Sequence, residues 1–191
     1  DKIGHLLDLS LEREQGVAPI IIGPISLAVS NLYFSFGAKQ PVFSNLSFTV
    51  QPGESVAVFG GYGSGKSTLA ALLCGLRQPG KGYIDINGVD LGNLRLEALR
   101  KRIAVVGRAE FFQDSLFENV RLGRPELRRD EVEQVLSAVG LLDDIASLAE
   151  DGLDTDISPS GAPLSAAQGR LLLLARAIAG RPALLILDGL L

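Results

Sequence analysis

One short loop constrains the fold of this chain more than any other part of the sequence. The loop consists of Gly60, Gly61, Tyr62, Gly63, Ser64, Gly65, Lys66, Ser67 and Thr68. It fits the pattern G-x-x-x-x-G-K-[ST], in which glycines let successive backbone N–H groups turn toward phosphate oxygens. The sequence therefore predicts a phosphate-binding turn at this point, known as a P-loop.

The segments on either side of the P-loop have the composition that such a turn requires. The apolar run from Ser55 to Phe59 predicts a buried strand, and residues 69–76 favour a helix as far as Gly75. A helix that begins at the loop adds unsatisfied N–H groups and the positive end of its dipole. Lys66 can then reach the β- and γ-phosphates of a nucleotide, and the Ser67 hydroxyl can bind Mg²⁺. This context favours a nucleotide site over a glycine-rich turn that matches the pattern by chance.

Composition and charge exclude several other classes of function. The chain has 191 residues, 47% of them hydrophobic, which suits one domain with a substantial core. Its net charge is −4, so we expect no nucleic-acid partner. With Cys74 as the one cysteine, an intrachain disulfide is impossible, and His5 alone cannot supply a histidine-dependent site. We expect Cys74 to be a small buried residue of the P-loop helix.

Strand and helix patterns surround the P-loop unit. Strands are predicted over residues 28–36, 46–50, 82–86 and 103–106, with turns at Pro52-Gly53 and Asn87-Gly88. Helices are predicted over residues 96–100, 131–139, 141–148 and 165–179, with a loop over 158–163. Asp130 and Glu133 have the spacing of a capping pair for the second of these helices, and Gly140 ends it. We therefore expect an antiparallel β layer and a helical segment around an α/β core.

A second acidic signal follows the last strand pattern. The apolar run from Ala183 to Leu187 ends in Asp188. A carboxylate at the carboxyl end of a strand beside a P-loop can hold the water shell of Mg²⁺. The alternative is that Asp188 merely ends a core strand. The presence of the P-loop favours the metal role.

These motifs together resemble the nucleotide-binding domain of ATP-binding cassette (ABC) transporters of the exporter type. The resemblance covers nearly the whole chain. Leu164 to Gln168 reads L-S-A-A-Q and matches three of the five positions of the family signature L-S-G-G-Q. Phe36 stands where an aromatic ring of the family stacks on adenine. Residues 111–119 resemble the segment that meets the membrane domain, and residues 3–8 resemble a linker from the last membrane helix.

The resemblance implies an α/β fold with a P-loop NTPase (RecA-like) core, an antiparallel β subdomain and an inserted helical subdomain at about residues 110–165. Residues 1–27 would contain the linker and the start of the first strand. Residues 28–191 would form the nucleotide-binding domain, whose C-terminal part after the Asp188 strand is missing. ATP and Mg²⁺ would be bound by Phe36, residues 60–68 and Asp188. The nucleotide held by a second nucleotide-binding domain would be contacted, in trans, by Ser165, Ala167 and Gln168.

Four positions depart from the family pattern, and all of them concern hydrolysis. Gly189 stands where a glutamate usually polarises the attacking water, so no catalytic residue is intact. Residues 107–109, Gly-Arg-Ala, lack the usual glutamine, and residues 158–160, Ser-Pro-Ser, lack a usual glutamate. Ala166 and Ala167 replace the two signature glycines. We therefore expect binding of ATP and Mg²⁺ with slow or absent hydrolysis.

Several functions remain open at this point. The first is an ATP-binding exporter domain at the cytoplasmic face of a membrane, with its membrane domain in the same polypeptide. The alternative is a non-hydrolysing regulatory module of the same type. A GTPase has no support, because the guanine motif Asn-Lys-x-Asp does not occur in the sequence. Since Gly189 and the two alanines affect opposite sites of a dimer, a heterodimer is favoured over a homodimer.

Overall fold

The computed structural model describes residues 16, 23–37, 39–108, 110–148 and 151–189. The predicted linker therefore lies largely outside the described residues, as does Ala109. Within the described ranges, no helix combines the length and the apolar composition needed to cross a membrane.

A four-stranded antiparallel sheet forms the first layer, as predicted. Its strands are β1 (Leu27–Ser35), β2 (Pro41–Val50), β3 (Lys81–Ile86) and β4 (Val89–Asp90), in the order β2-β1-β3-β4. The alternation of β1 is interrupted at Asn31, where φ is 49° and the pairing register shifts. This bulge explains why Val29 and Leu32 are both buried although they are three positions apart. The predicted Asn87-Gly88 turn joins β3 to β4.

Most of the α-helices of the described residues lie in the second half of the chain. They are α1 (Lys66–Leu73), α2 (Leu96–Arg100), α3 (Leu116–Arg121), α4 (Arg129–Ala138), α5 (Leu142–Leu148) and α6 (Ala166–Ala179). Helix α1 begins at the P-loop as predicted, and Gly75, with φ of 68°, follows its end. Helix α6 begins after Ser165 and is followed by Gly180, also as predicted. The helices α3 to α6 share one buried apolar cluster.

The start of α4 differs from the prediction by two residues. Glu131, not Glu133, completes the cap: its carboxylate accepts a hydrogen bond from the Arg128 backbone N–H at 3.1 Å. Asp130 instead forms an ion pair with the Arg128 guanidinium at 2.8 Å. The predicted Asp130–Glu133 cap is therefore wrong. Arg128 and Glu131 have the same three-residue spacing as Asp130 and Glu133, and the earlier pair satisfies the first free backbone N–H.

Two short ladders complete the sheets. Strand β5 (Ile103–Val106) pairs in parallel with β8 (Leu184–Leu187), and β6 (Asp114–Ser115) pairs with β7 (Asp156–Ile157). The β5 strand is only partly buried, because Val105 is 45% exposed. Asp188 follows β8 directly and donates its backbone N–H to the Val106 carbonyl at 2.8 Å.

The prediction of a buried strand before the P-loop is wrong. The structure assigns no strand to residues 55–59, and Phe59 is 91% exposed. An apolar run becomes a buried strand only where a neighbouring strand supplies partners for its backbone hydrogen bonds. In the part of the chain that the structure describes, no strand pairs with this run. Apolar composition alone therefore did not suffice to form it.

Candidate functional site

The P-loop is organised around the ammonium group of Lys66. Lys66 is the first residue of α1, and its side chain turns back over the loop. Its Nζ donates hydrogen bonds to the carbonyl oxygens of Gly60 at 2.7 Å and Gly61 at 3.0 Å, and to Ser64 Oγ at 3.3 Å. The loop thus holds a positive charge on its inner side, at the point where a helix begins.

Two glycines of the loop are required by its geometry. Gly65 has φ of 94°, a conformation that residues with a Cβ rarely adopt, and a Cβ there would collide with Val42 and Phe43 of β2. Gly60 has an ordinary φ, but a Cβ on it would lie 2.5 Å from Ser64 Oγ. Gly65 allows the loop to approach β2 closely, and Gly60 allows the loop to close on itself.

The described residues of the loop fit a phosphate group and a metal ion. Gly60 to Ser64 and the Ser67 hydroxyl lie on the surface. Helix α1 has no side-chain cap at its first turn, so its N–H groups face the loop without a competing side-chain oxygen. A cation, free helical N–H donors and an accessible hydroxyl are the groups that a nucleoside phosphate with Mg²⁺ requires.

Phe36 lies just after β1, and sequence reasoning missed the residue that covers it. The Arg77 guanidinium carbon is 4.9 Å from the centre of the Phe36 ring, and Phe34 meets the same ring edge-on at 5.0 Å. Phe36 remains 42% exposed. A guanidinium over an aromatic face is a cation–π contact, so Arg77 holds the ring in place. The only available signal was a basic residue shortly after the P-loop helix.

The residues Ser165 and Gln168 are joined by a reciprocal pair of hydrogen bonds. Ser165 Oγ accepts from the Gln168 backbone N–H at 3.3 Å, and Gln168 Oε1 accepts from the Ser165 backbone N–H at 3.0 Å. Gln168 Nε2 also donates to Asp144 of α5 at 3.1 Å, a contact that the sequence did not predict. Ala166 and Ala167 occupy the exposed first turn of α6. The motif is thus a capping box presented at the surface.

Asp188 and residue 107 lie at the same edge of the parallel sheet. Val106 pairs with Leu187, so Gly107 and Asp188 follow the carboxyl ends of neighbouring strands. Gly189 has φ of 74°, and a Cβ on it would meet no atom of the described residues within 4 Å. Within the described ranges, no hydrogen bond joins Asp188 or the Ser165 motif to the P-loop.

Comparisons with known proteins agree on one family. The family model described as "ABC transporter" matches residues 43–190. The chain is 39% identical over 190 residues to an ATP-dependent lipid A-core flippase of Chromobacterium violaceum, covering 98% of this chain and 32% of that protein. It is 39% identical over 156 residues to a beta-(1-->2)glucan export ATP-binding/permease protein of Rhodopseudomonas palustris, covering 81% of this chain and 26% of that protein.

A solved structure shows the same fold. The structure of a bacterial Atm1-family ABC exporter with ATP bound superposes with a TM-score of 0.90 and 29% identity, covering 99% of this chain and 33% of that chain. The match confirms the predicted α/β class with a P-loop NTPase core. The chain spans between about a quarter and a third of the length of these similar proteins.

Proposed function

The chain belongs to the ABC transporter family, and we propose that it is the ATP-binding domain of an exporter that couples ATP binding to transport across a membrane. The observation that carries this proposal is the P-loop, where the Lys66 ammonium lies against the carbonyl oxygens of Gly60 and Gly61 at an uncapped helix start. That arrangement suits the triphosphate of ATP.

The binding roles that we propose are those of the family, assigned to the matching residues of this chain. Residues 60–68 hold the phosphates, with Lys66 supplying positive charge. The Ser67 hydroxyl and Asp188, the latter through water, hold Mg²⁺, which neutralises phosphate charge when bound. Phe36, held by Arg77, stacks on the adenine ring. Ser165, Ala167 and Gln168 contact the nucleotide held by a second nucleotide-binding domain.

Hydrolysis by this chain is proposed to be attenuated. Gly189 has no side chain with which to orient the attacking water, and its φ of 74° disfavours the residues that could. Gly107, at the neighbouring strand end, likewise offers no polar side chain. Cβ atoms on Ala166 and Ala167 crowd the surface where a partner's phosphate would approach. Binding is therefore retained while the chemical step is slow.

The proposed partners follow from the length of the similar proteins. Because the chain spans about a quarter to a third of those proteins, we propose a membrane domain in the same polypeptide and a position at the cytoplasmic face of a membrane. The second nucleotide-binding domain belongs either to an identical chain or to a different one. We favour a different one, because two copies of this chain would place both defects, Gly189 and the pair of alanines, in every site.

Nucleotide binding and turnover test the proposal on the purified chain. We expect Lys66→Ala to weaken binding of a fluorescent ATP analogue at least about a hundredfold, a loss of about 2.7 kcal/mol. Lys101→Ala is the matched control, because Lys101 is an exposed lysine whose ion pair is with Glu97 at 3.0 Å. Turnover at saturating ATP should lie far below about 10 s⁻¹, a typical enzyme rate. Turnover near that rate would overturn the proposed attenuation, and unchanged binding in Lys66→Ala would overturn the site.

A further inference from the structure

Residues 110–115 are joined to α6 at two points, and we propose that Phe111 and Arg176 are positioning residues for the Ser165–Gln168 motif. Through them, a displacement of residues 110–115 moves the start of α6. The inference rests on the proposed function in one respect: it takes Ser165 and Gln168 to act on a partner's nucleotide. The attachment itself consists of contacts within this chain.

The first attachment is an aromatic ring set between two glycines. A Cβ on Gly169, the fourth residue of α6, would lie 2.9 Å from Phe111 Cζ. A Cβ on Gly161, just before the motif, would lie 2.9 Å from Phe111 Cε2. Carbon atoms prefer a separation of about 3.5–4.0 Å, so neither position tolerates a side chain while the ring stays in place. Glycine is disfavoured inside a helix, and the ring accounts for its presence at position 169.

The second attachment is a set of hydrogen bonds from Arg176 to the same segment. Arg176 donates from Nε to the Asn119 carbonyl at 2.7 Å, from Nη2 to Asn119 Oδ1 at 2.9 Å and from Nη1 to the Glu110 carbonyl at 2.8 Å. Its guanidinium carbon also lies 5.5 Å from the centre of the Phe112 ring. One forked side chain of α6 thus holds the backbone of Glu110, at the start of this segment, and that of Asn119, in the helix α3 that follows it.

Asn119 extends this attachment along residues 112–115. Its side chain is 1% exposed and accepts from the Phe112 backbone N–H at 3.0 Å. Its Nδ2 donates to the carbonyl oxygens of Phe112 at 3.0 Å, Asp114 at 3.2 Å and Ser115 at 3.0 Å. The segment is therefore bonded to Asn119, and Asn119 is bonded to α6.

The spacing of the two attachments makes the connection rigid. Gly169 and Arg176 are seven residues apart, about two helical turns, so they lie on the same face of α6 about 10 Å from each other. Two separated contacts fix the direction of a helix axis as well as its position. Ser165 and Gln168 lie at the end nearest the Phe111 contact. The orientation of the motif is therefore set by residues 110–115.

The substitution Gly169→Ala separates this inference from an effect of helix propensity. Propensity alone predicts that alanine stabilises α6 and slows amide hydrogen exchange there. If the ring must move, exchange without nucleotide should instead rise at least about tenfold in both residues 110–115 and residues 165–170. The measurement is hydrogen exchange by mass spectrometry on the full-length protein. Arg176→Lys, which loses the forked bonds but keeps the charge, should produce the same paired rise.

Two further variants provide rescue and control. The double variant Gly169→Ala with Phe111→Leu gives the new methyl group room, and exchange in both segments should return to within about twofold of the wild type. Gly180→Ala lies at the other end of α6, where a Cβ would be 3.5 Å from its nearest neighbour, and should change neither segment. Slower exchange in Gly169→Ala, a rise confined to residues 165–170, or no rescue would each overturn the inference.

A nucleotide arm distinguishes failure of this inference from failure of the proposed function. With ATP and Mg²⁺, Gly169→Ala should retain protection of residues 60–68 at the same ATP concentration and lose protection of residues 165–168. If ATP does not protect residues 165–168 in the wild type, the proposed contact in trans is overturned. The connection between residues 110–115 and α6 is decided by the exchange measured without nucleotide in either case.

Discussion

At the scale of single residues, Cys74 gives a direct test of the packing under the P-loop helix. Burial raises the pKa of its thiol from 9.0 to about 11, against the opposing effect of Arg100. The thiolate is the reactive form, so at about pH 8 its fraction should be about a hundredfold lower than in an unperturbed cysteine. We expect native protein to react with a thiol reagent at least that much more slowly than protein in denaturant.

The control for this prediction uses the absence of other cysteines in the sequence. Ser44→Cys in a Cys74→Ala background places one thiol on the exposed side of β2 and should react quickly. The same raised pKa also gives a pH dependence. Because the folded state holds the proton more tightly, the contribution of Cys74 to stability is complete below about pH 9 and declines as pH rises toward about 11. Fast labelling of native Cys74 at about pH 8 would contradict the buried position.

At the scale of elements, Asn119 joins α3 to the segment before it and to α6. We expect Asn119→Ala to lower the free energy of unfolding by about 2–4 kcal/mol, because several buried backbone groups and Arg176 lose their partner. Urea denaturation measures the change. Ser137→Ala, an exposed substitution on α4, should stay within about 0.5 kcal/mol of the wild type. A loss below about 1 kcal/mol for Asn119→Ala would show that water replaces these bonds.

The same elements show what the sequence could predict and why the rest escaped it. Helix α6 was predicted because its cap is local: Ser165 and Gln168 are three residues apart and bond each other. The start of α4 was missed because Arg128 and Glu131 have the same spacing as Asp130 and Glu133, and arginine is not among the residues preferred at a helix cap. The strand predicted at residues 55–59 did not form, because pairing depends on a second segment, which no local pattern reveals.

The candidate site likewise contains some residues that the sequence predicted and some contacts that it did not. Lys66 was predicted by the spacing of the P-loop, and the structure supplies its carbonyl partners. Arg77 over Phe36, and Phe111 against Gly169, are contacts between distant parts of the chain. Arg176 and Asn119 are 57 positions apart. Such contacts leave no periodicity in the sequence, so they had to be found in the structure.

At the scale of the whole molecule, the positions of the substitutions determine how their effects combine. In the proposed dimer, each nucleotide lies between the P-loop of one copy and the Ser165 motif of the other. Two copies of this chain would then place Gly189 and the pair Ala166 and Ala167 in every site. With a different partner, Gly189 would affect one site and the two alanines the other. Restoring the family residues separately and together therefore tests the arrangement.

For the purified chain, which can pair only with itself, we expect either repair alone to raise ATP turnover by less than about tenfold. The combination of Gly189→Glu, Ala166→Gly and Ala167→Gly should raise it by at least about a hundredfold, because a positioned general base is worth about 10²–10⁴ only where the phosphate can also approach closely.

Glutamate at φ of 74° costs about 1–2 kcal/mol in backbone strain, so unfolding is measured for each variant. Gly123→Glu, at φ of 71° where a Cβ would meet none of the described residues within 4 Å, controls for that strain and should leave turnover unchanged. If Gly189→Glu alone equalled the triple variant, the alanines would not limit the site. If the triple variant showed no gain, the expectation that Gly189 and the two alanines together limit turnover in the self-paired chain would be refuted.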